Sequence, residues 1–235
     1  MTEQALSFPP AMYGEAVADS PEETAVLRAI QGVDAGLVTY RIAQDRMGAA
    51  LVFAPEVPLR EAMAMLPLCG VGFQNALGAL APPEVAVHLD WDGRLRVNGA
   101  LAGGMRAFAA TDDPDVVPDW LVVSWSLDLL PMSDDTGLNP DRTALFVEGC
   151  ADVEPAMLVE AWARHTLAWI ARWEDAGNKG LNAEWRGLVH GMGETVTRGD
   201  TSGTFLGVDE HFGMLLRTGD DTRLIPLTDL LEDTP

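Results

Sequence analysis

The stretch RLRVNGALAGGMRAF, from Arg94 to Phe108, constrains the fold more tightly than any other part of the chain. Asn98-Gly99 stands between two β-prone runs. Both central positions of a two-residue hairpin turn need positive φ, and Asn followed by Gly meets that need at the least steric cost. An antiparallel strand pair is therefore expected here. Its second strand carries Gly103-Gly104. Glycines inside a strand mark a bulge or a closely approached backbone, and the approaching group is either a ligand or a neighbouring element.

The surrounding pattern extends this pair into an α/β (α+β) domain, a mixed sheet with helices. The opening stretch to Ala18, with Pro9 and Pro10, reads as irregular. DSPEETAVLRAIQG offers a cap at Asp19 or Ser20, a proline in the first turn and paired glutamates, which predicts a helix. GLVTYRIA and AALVFAPEV read as two strands joined by Gln44–Gly48. A helix is expected from about Leu59 to Leu80, either tolerating Pro67 or kinking there. EVAVHLDW, RLRVN, ALAGGMRAF and WLVVSWSLDLL read as four further strands, followed by an irregular stretch from Pro131 to Arg142.

The clearest helix runs from about Glu154 to Ala176, where Leu158, Trp162, Trp169 and Trp173 recur at helical spacing. His165 falls on the same stripe and reads as a packed histidine rather than a base. A shorter helix near NAEWRGLVHG closes a domain over 1–190. From Gly193 the chain alternates short β-prone runs with Gly/Asp turns, which predicts a small β-barrel-like domain over 191–235. The junction HGMGETV is too short to tether it loosely, so the two are expected to pack together.

The formal net charge of −21 narrows the partners. So acidic a surface repels phosphate backbones and anionic lipid, so neither nucleic acid nor membrane is an expected partner. No apolar run reads as long enough to span a bilayer, and no signal peptide is apparent. Cys69 and Cys150 have no metal-ligand spacing, which fits a reducing, cytoplasmic location. Lys179 is the only lysine. Walker loops, dinucleotide fingerprints, zinc-ligand clusters and nucleophile elbows are absent from the sequence, and no catalytic residue is assigned. Asp90 and Asp92 bracket Trp91 and could orient a ligand or accept a cation. The Asp92-Gly93 signal favours turn residues on a solvated edge.

The order of elements resembles the biotin/lipoate protein ligase family, most closely the biotin-ligase branch with its small C-terminal SH3-like β-domain. VAVHLDWDGRLRVNGALAGGM is similar to the family's strand–turn–strand signature, in which a Trp-Pro-Asn-Asp-like turn precedes a hairpin ending in Lys-Leu-Ala-Gly. GTFLGVDEHFGMLLR is similar to its C-terminal Gly-x-Asp-x-x-Gly-x-Leu segment. ADSPEETAVLRA sits where the family has a serine-bearing strand-to-helix turn, and AQDRMG where it has a glutamine and a long Gly/Arg-rich loop. The resemblance implies ligand contacts at Ser20, Gln44, Arg46, Asp92, Ala100, Gly103 and Gly104. It also implies ATP with biotin or lipoate as ligands, and a biotinyl or lipoyl carrier domain as partner, wherever the family activity is kept.

Two departures weigh against that activity. The family loop folds over the acyl-adenylate, and here only Gln44, Asp45, Arg46 and Gly48 correspond to it. The family lysine that meets the acid's carboxylate is replaced by Ala100. Loss of a buried cation at an anionic reaction centre costs about two to three decades in rate. The expected function is a degenerate ligase fold that binds a small carboxylic acid, a nucleotide or a carrier domain. In that reading Ala100 faces a pocket bounded by Gln44, Arg46 and the Gly103-Gly104 backbone. The alternative is a divergent active ligase using Arg46 or Arg106 to neutralise charge. A transferase of preactivated acyl groups also relies on a lysine, and its cysteine has no match in Cys69 or Cys150.

Overall fold

The structure is a computed structural model that describes residues 6–131, 139 and 141–234. Most of the Pro131–Arg142 stretch lies outside the described residues. A seven-stranded sheet forms the centre, in the order β1 (Tyr13–Ala16), β2 (Leu37–Ile42), β3 (Arg46–Phe53), β7 (Leu121–Asp128), β6 (Ala100–Ala109), β5 (Arg94–Val97) and β4 (Val87–Leu89). β1 runs parallel to β2 and every other pair is antiparallel. The sheet is thus mixed, as the sequence predicts.

Several boundaries differ from expectation. The opening stretch is not wholly irregular, because Tyr13–Ala16 pairs along β2 as an edge strand. Arg46 to Gly48 belong to β3 rather than to a linker, since they continue the ladder with β7. β4 is cut to Val87–Leu89 because Asp90 to Gly93 turn tightly, with Gly93 at φ 83°. Asn98 and Gly99 both take positive φ, 50° and 89°, and close the β5–β6 hairpin as their sequence requires.

Helix α1 (Pro21–Ile30) is capped by Ser20, whose Oγ accepts from the Glu23 amide at 3.2 Å. Its Ala25, Val26 and Ala29 bury against Val52, Phe108 and Val122 on one face of the sheet. The expected helix from Leu59 to Leu80 is broken into α2 (Leu59–Ala62) and α3 (Met65–Leu80). The break falls at Met63–Ala64, not at Pro67. Pro67 has no N–H for the Met63 carbonyl, which instead accepts from Leu66 at 3.0 Å in a tighter turn. By length and apolarity this stretch could cross a membrane, contrary to the sequence reading, but 72% of its most apolar window is buried inside the fold.

The other sheet face is covered by α3 and α4 (Pro155–Ala176). Trp125 of β7 meets Phe73 of α3 and Trp162 of α4, with ring centroids 5.2 and 5.7 Å away. The two helices approach closely at Gly72, where a methyl group would lie 2.5 Å from Thr166 Oγ1. α5 begins earlier than expected, at Asn178, and ends at Leu188. Beyond it a second, antiparallel sheet runs in the order β11 (Asp221–Ile225), β10 (Met214–Thr218), β9 (Thr201–Val208), β8 (Thr195–Arg198). It is a small C-terminal β unit whose Phe205, Phe212, Met214 and Leu216 join the core of the large sheet.

Candidate functional site

α1 covers only the apolar end of its sheet face. Below it the same face turns polar, and the strand register shows why. Residues directly paired across strands share a face, so side chains form rows. One row reads Val52 and Val122 under α1, with Phe108 paired to Val122. The next reads Ala50, Ser124 and Arg106, then Gly48, Ser126 and Gly104, then Arg46 with Asp128. Arg41 on β2 extends the Gly48 row, and Arg94 on β5 extends it on the other side.

These rows floor a cleft of about 560 Å³ between the sheet and the first turn of α1. Ser126 is exposed on its floor, whereas Ser124 is buried at its α1 end. Arg41, Arg46 and Arg106 line it together with Asp19, Glu22 and Glu23, so cations and carboxylates share the cleft. Glu22 closes the α1 end. Its carboxylate accepts from Ser124 Oγ at 3.0 Å and pairs with Arg106 Nη1 at 3.0 Å. At the opposite end the nearly buried Asp128 holds Arg46 at 2.7 Å and Arg142 at 3.1 Å.

The seven positions implied by the sequence fall in several places. Ser20 and Arg46 line the cleft. Gly104 belongs to its floor row, and a methyl group there would find only the Gly93 carbonyl, at 3.7 Å. Gly103 is required by β7 instead, since a methyl would sit 2.0 Å from the Ser126 carbonyl oxygen. Gln44 is exposed in the β2–β3 turn. Ala100 pairs with the buried Val97 at the hairpin end and is not among the residues lining this cleft. Asp92 lies at the junction of the two sheets, bound by Arg94 and Arg198 at 3.0 Å each.

Asp90 departs from the solvated-edge reading. Its side chain is 5% exposed and is held by Arg96 in a two-pronged pair at 2.7 and 3.0 Å. Arg94 and His190 complete that cluster at 3.0 and 3.3 Å. Burial pushes the Cys69 thiol far up. Cys150 is raised by burial and by Glu148 and Glu84. Neither offers a thiolate nucleophile at neutral pH.

Sequence reasoning assigned no site role to Glu22, Arg41, Ser124, Ser126 or Asp128. A signal was present: Ser124, Ser126 and Asp128 recur at every second position of an otherwise apolar strand. That period places them all on one face.

The model of the biotin/lipoate A/B protein ligase family matches residues 8–187, and a domain of unknown function matches 192–233. No curated protein matches the chain. A biotin protein ligase-like protein of unknown function from a Silicibacter species is 60% identical, with TM-score 0.93 over 97% of this chain and 100% of that one. Biotin protein ligase from Aquifex aeolicus has TM-score 0.72 at 15% identity, over 92% of this chain and 94% of that one. Its complex with biotin and ATP has TM-score 0.69 at 14% identity, over 95% and 96%. These distant likenesses concern the fold. The sequence match spans most of the chain, and the chain belongs to the biotin/lipoate A/B protein ligase family.

Proposed function

We propose that the protein holds a small carboxylic acid in the sheet cleft and does not ligate it. One observation carries this reading: β2 ends at Ile42 and β3 begins at Arg46, so Ala43, Gln44 and Asp45 alone separate them. The Ala43 amide bonds back to the Arg46 carbonyl at 2.9 Å, closing the turn on itself. Nothing is left there to fold over an acyl-adenylate and hold its phosphate. Arg41 and Arg46 supply cations for a carboxylate at the end of the cleft away from α1, whereas Arg106 is paired with Glu22. The only lysine, Lys179, starts α5 and lines a different groove. In this reading residues 1–190 form the ligand-holding domain and 191–235 a β-domain that buttresses the Asp90–Gly93 turn.

A thermal-shift panel of biotin, lipoate, octanoate and ATP tests the proposal. A ligand that binds only the native state raises the melting temperature. A rise with at least one acid, with no further rise on adding ATP, is expected. A shift with ATP alone would favour a nucleotide as occupant, and no shift with any acid would contradict the reading.

A further inference from the structure

The cleft has two ends of opposite chemistry. Asp19, Glu22 and Glu23 line it at the start of α1. Of these, Glu22 engages the floor, through Ser124 and Arg106. Arg106 is the cation nearest α1, and Glu22 already neutralises it; the Ser124 hydroxyl hydrogen is spent on the same carboxylate. A ligand carboxylate entering at that end meets a like charge. Each Glu22 oxygen has one partner of those its lone pairs can take, and the side chain remains 27% exposed where it lines the cleft. This end accepts hydrogen bonds.

The other end has cations to spare. Arg46 and Arg142 share one carboxylate, Asp128. Arg41 makes no ion pair or hydrogen bond among the described residues. From the register, Arg41 and Ser124 lie two strands and one row apart, roughly 12 Å between Cα atoms at the usual strand spacings. Gly48 and Ser126 lie between them, so no bulky side chain interrupts the floor.

We propose that the cleft takes a small acid that also carries an N–H or ammonium donor, and that Glu22 is the residue that selects it. The carboxylate lies towards Arg41 and Arg46, and the donor reaches Glu22. This rests on the acid-binding reading above. It adds that a plain alkanoic acid fills only one end and leaves the Glu22 carboxylate facing an alkyl terminus. Glu22 acts through direct contact with ligand, as a specificity determinant.

Calorimetric titration of octanoate and 8-aminooctanoate into the wild type and Glu22→Gln tests the assignment. Glutamine keeps the size of the side chain and an acceptor for Ser124 but removes the charge. The wild type is expected to bind 8-aminooctanoate about tenfold or more tightly than octanoate, the effect of one charge-assisted contact. Glu22→Gln is expected to lose that preference, with octanoate tightened because Arg106 is released. Octanoate binding as tightly as 8-aminooctanoate to the wild type, or a preference unchanged in Glu22→Gln, would overturn the selection by Glu22 and leave the acid-binding reading intact. Absence of heat from both compounds on both proteins, with melting showing both folded, would overturn the two together.

Discussion

Trp91 donates its indole N–H to the carbonyl oxygen of Phe212 at 2.7 Å, a buried bond between residues 121 positions apart. It joins the turn after β4 to the loop before β10. Arg198 of β8 lies over the same indole ring, 5.8 Å from its centroid. Trp91→Phe keeps most of the apolar volume and leaves the Phe212 carbonyl without that donor. A loss of about 1–3 kcal/mol is expected in urea unfolding. Faster tryptic cleavage near Arg198 should accompany it, and unchanged stability and cleavage would show that this contact does not fasten the C-terminal sheet.

The tryptophan stripe of α4 should show a gradient. Trp162 is fully buried and donates to the Cys69 carbonyl at 3.2 Å; Trp169 is nearly buried and donates to Asn75 at 2.9 Å. Trp173 is only partly buried. Replacement by alanine is expected to cost about 3–5 kcal/mol at Trp162, with Trp169 next and Trp173 least. Equal losses at Trp162 and Trp173 would contradict the packing described.

Both thiols should be silent in the native state. Cys69 and Cys150 are fully buried, and burial raises both pKa values. A chromogenic disulfide reagent at pH 8 is expected to react with neither cysteine until denaturant is added. Rapid labelling of Cys150 without unfolding would reopen a nucleophilic role for it.

One surface pair gives a pH signature. The hydrogen bond from Arg28, opposed by desolvation and aided by its charge, holds the Glu15 carboxyl below its ordinary value. A depressed carboxylate pKa adds stability that is complete above the unfolded value, near 4.5, and is lost as pH falls through the folded value. The pair is more than a third exposed on both sides, so only a few tenths of a kcal/mol are expected. Glu15→Gln should therefore be slightly less stable than the wild type at pH 7, with the difference vanishing as pH falls through the folded value. A difference that persists in acid would contradict this origin.

Much of the fold was legible because its signals are local. Asn98-Gly99 fixes its turn through backbone sterics alone, and Ser20 with Pro21 fixes a helix start in the same way. β1 was missed because Tyr13–Ala16 is a short edge strand whose only described strand partner is β2. The helix break was displaced by one turn because proline disturbs the carbonyl four residues before it, here Met63. The site was read only in part. Arg46 and Gly104 sit in motifs, but Ser124, Ser126 and Glu22 come together only through strand register and the placement of α1 over β7. Gly103 looked like a ligand contact and serves the approach of β7, a distinction invisible without the neighbouring strand.

Exchange of labelled pyrophosphate into ATP is the most direct measure of whether this cleft holds an acid or activates it. The reaction reports acyl-adenylate formation whatever the later acceptor. With the three-residue β2–β3 turn and no lysine at position 100, the wild type is expected to show exchange no higher than a no-acid control with biotin, lipoate, octanoate or 8-aminooctanoate. Acid-dependent exchange above that control would show that adenylation survives without the covering loop, and would contradict the account of this protein as a binder built on a ligase fold.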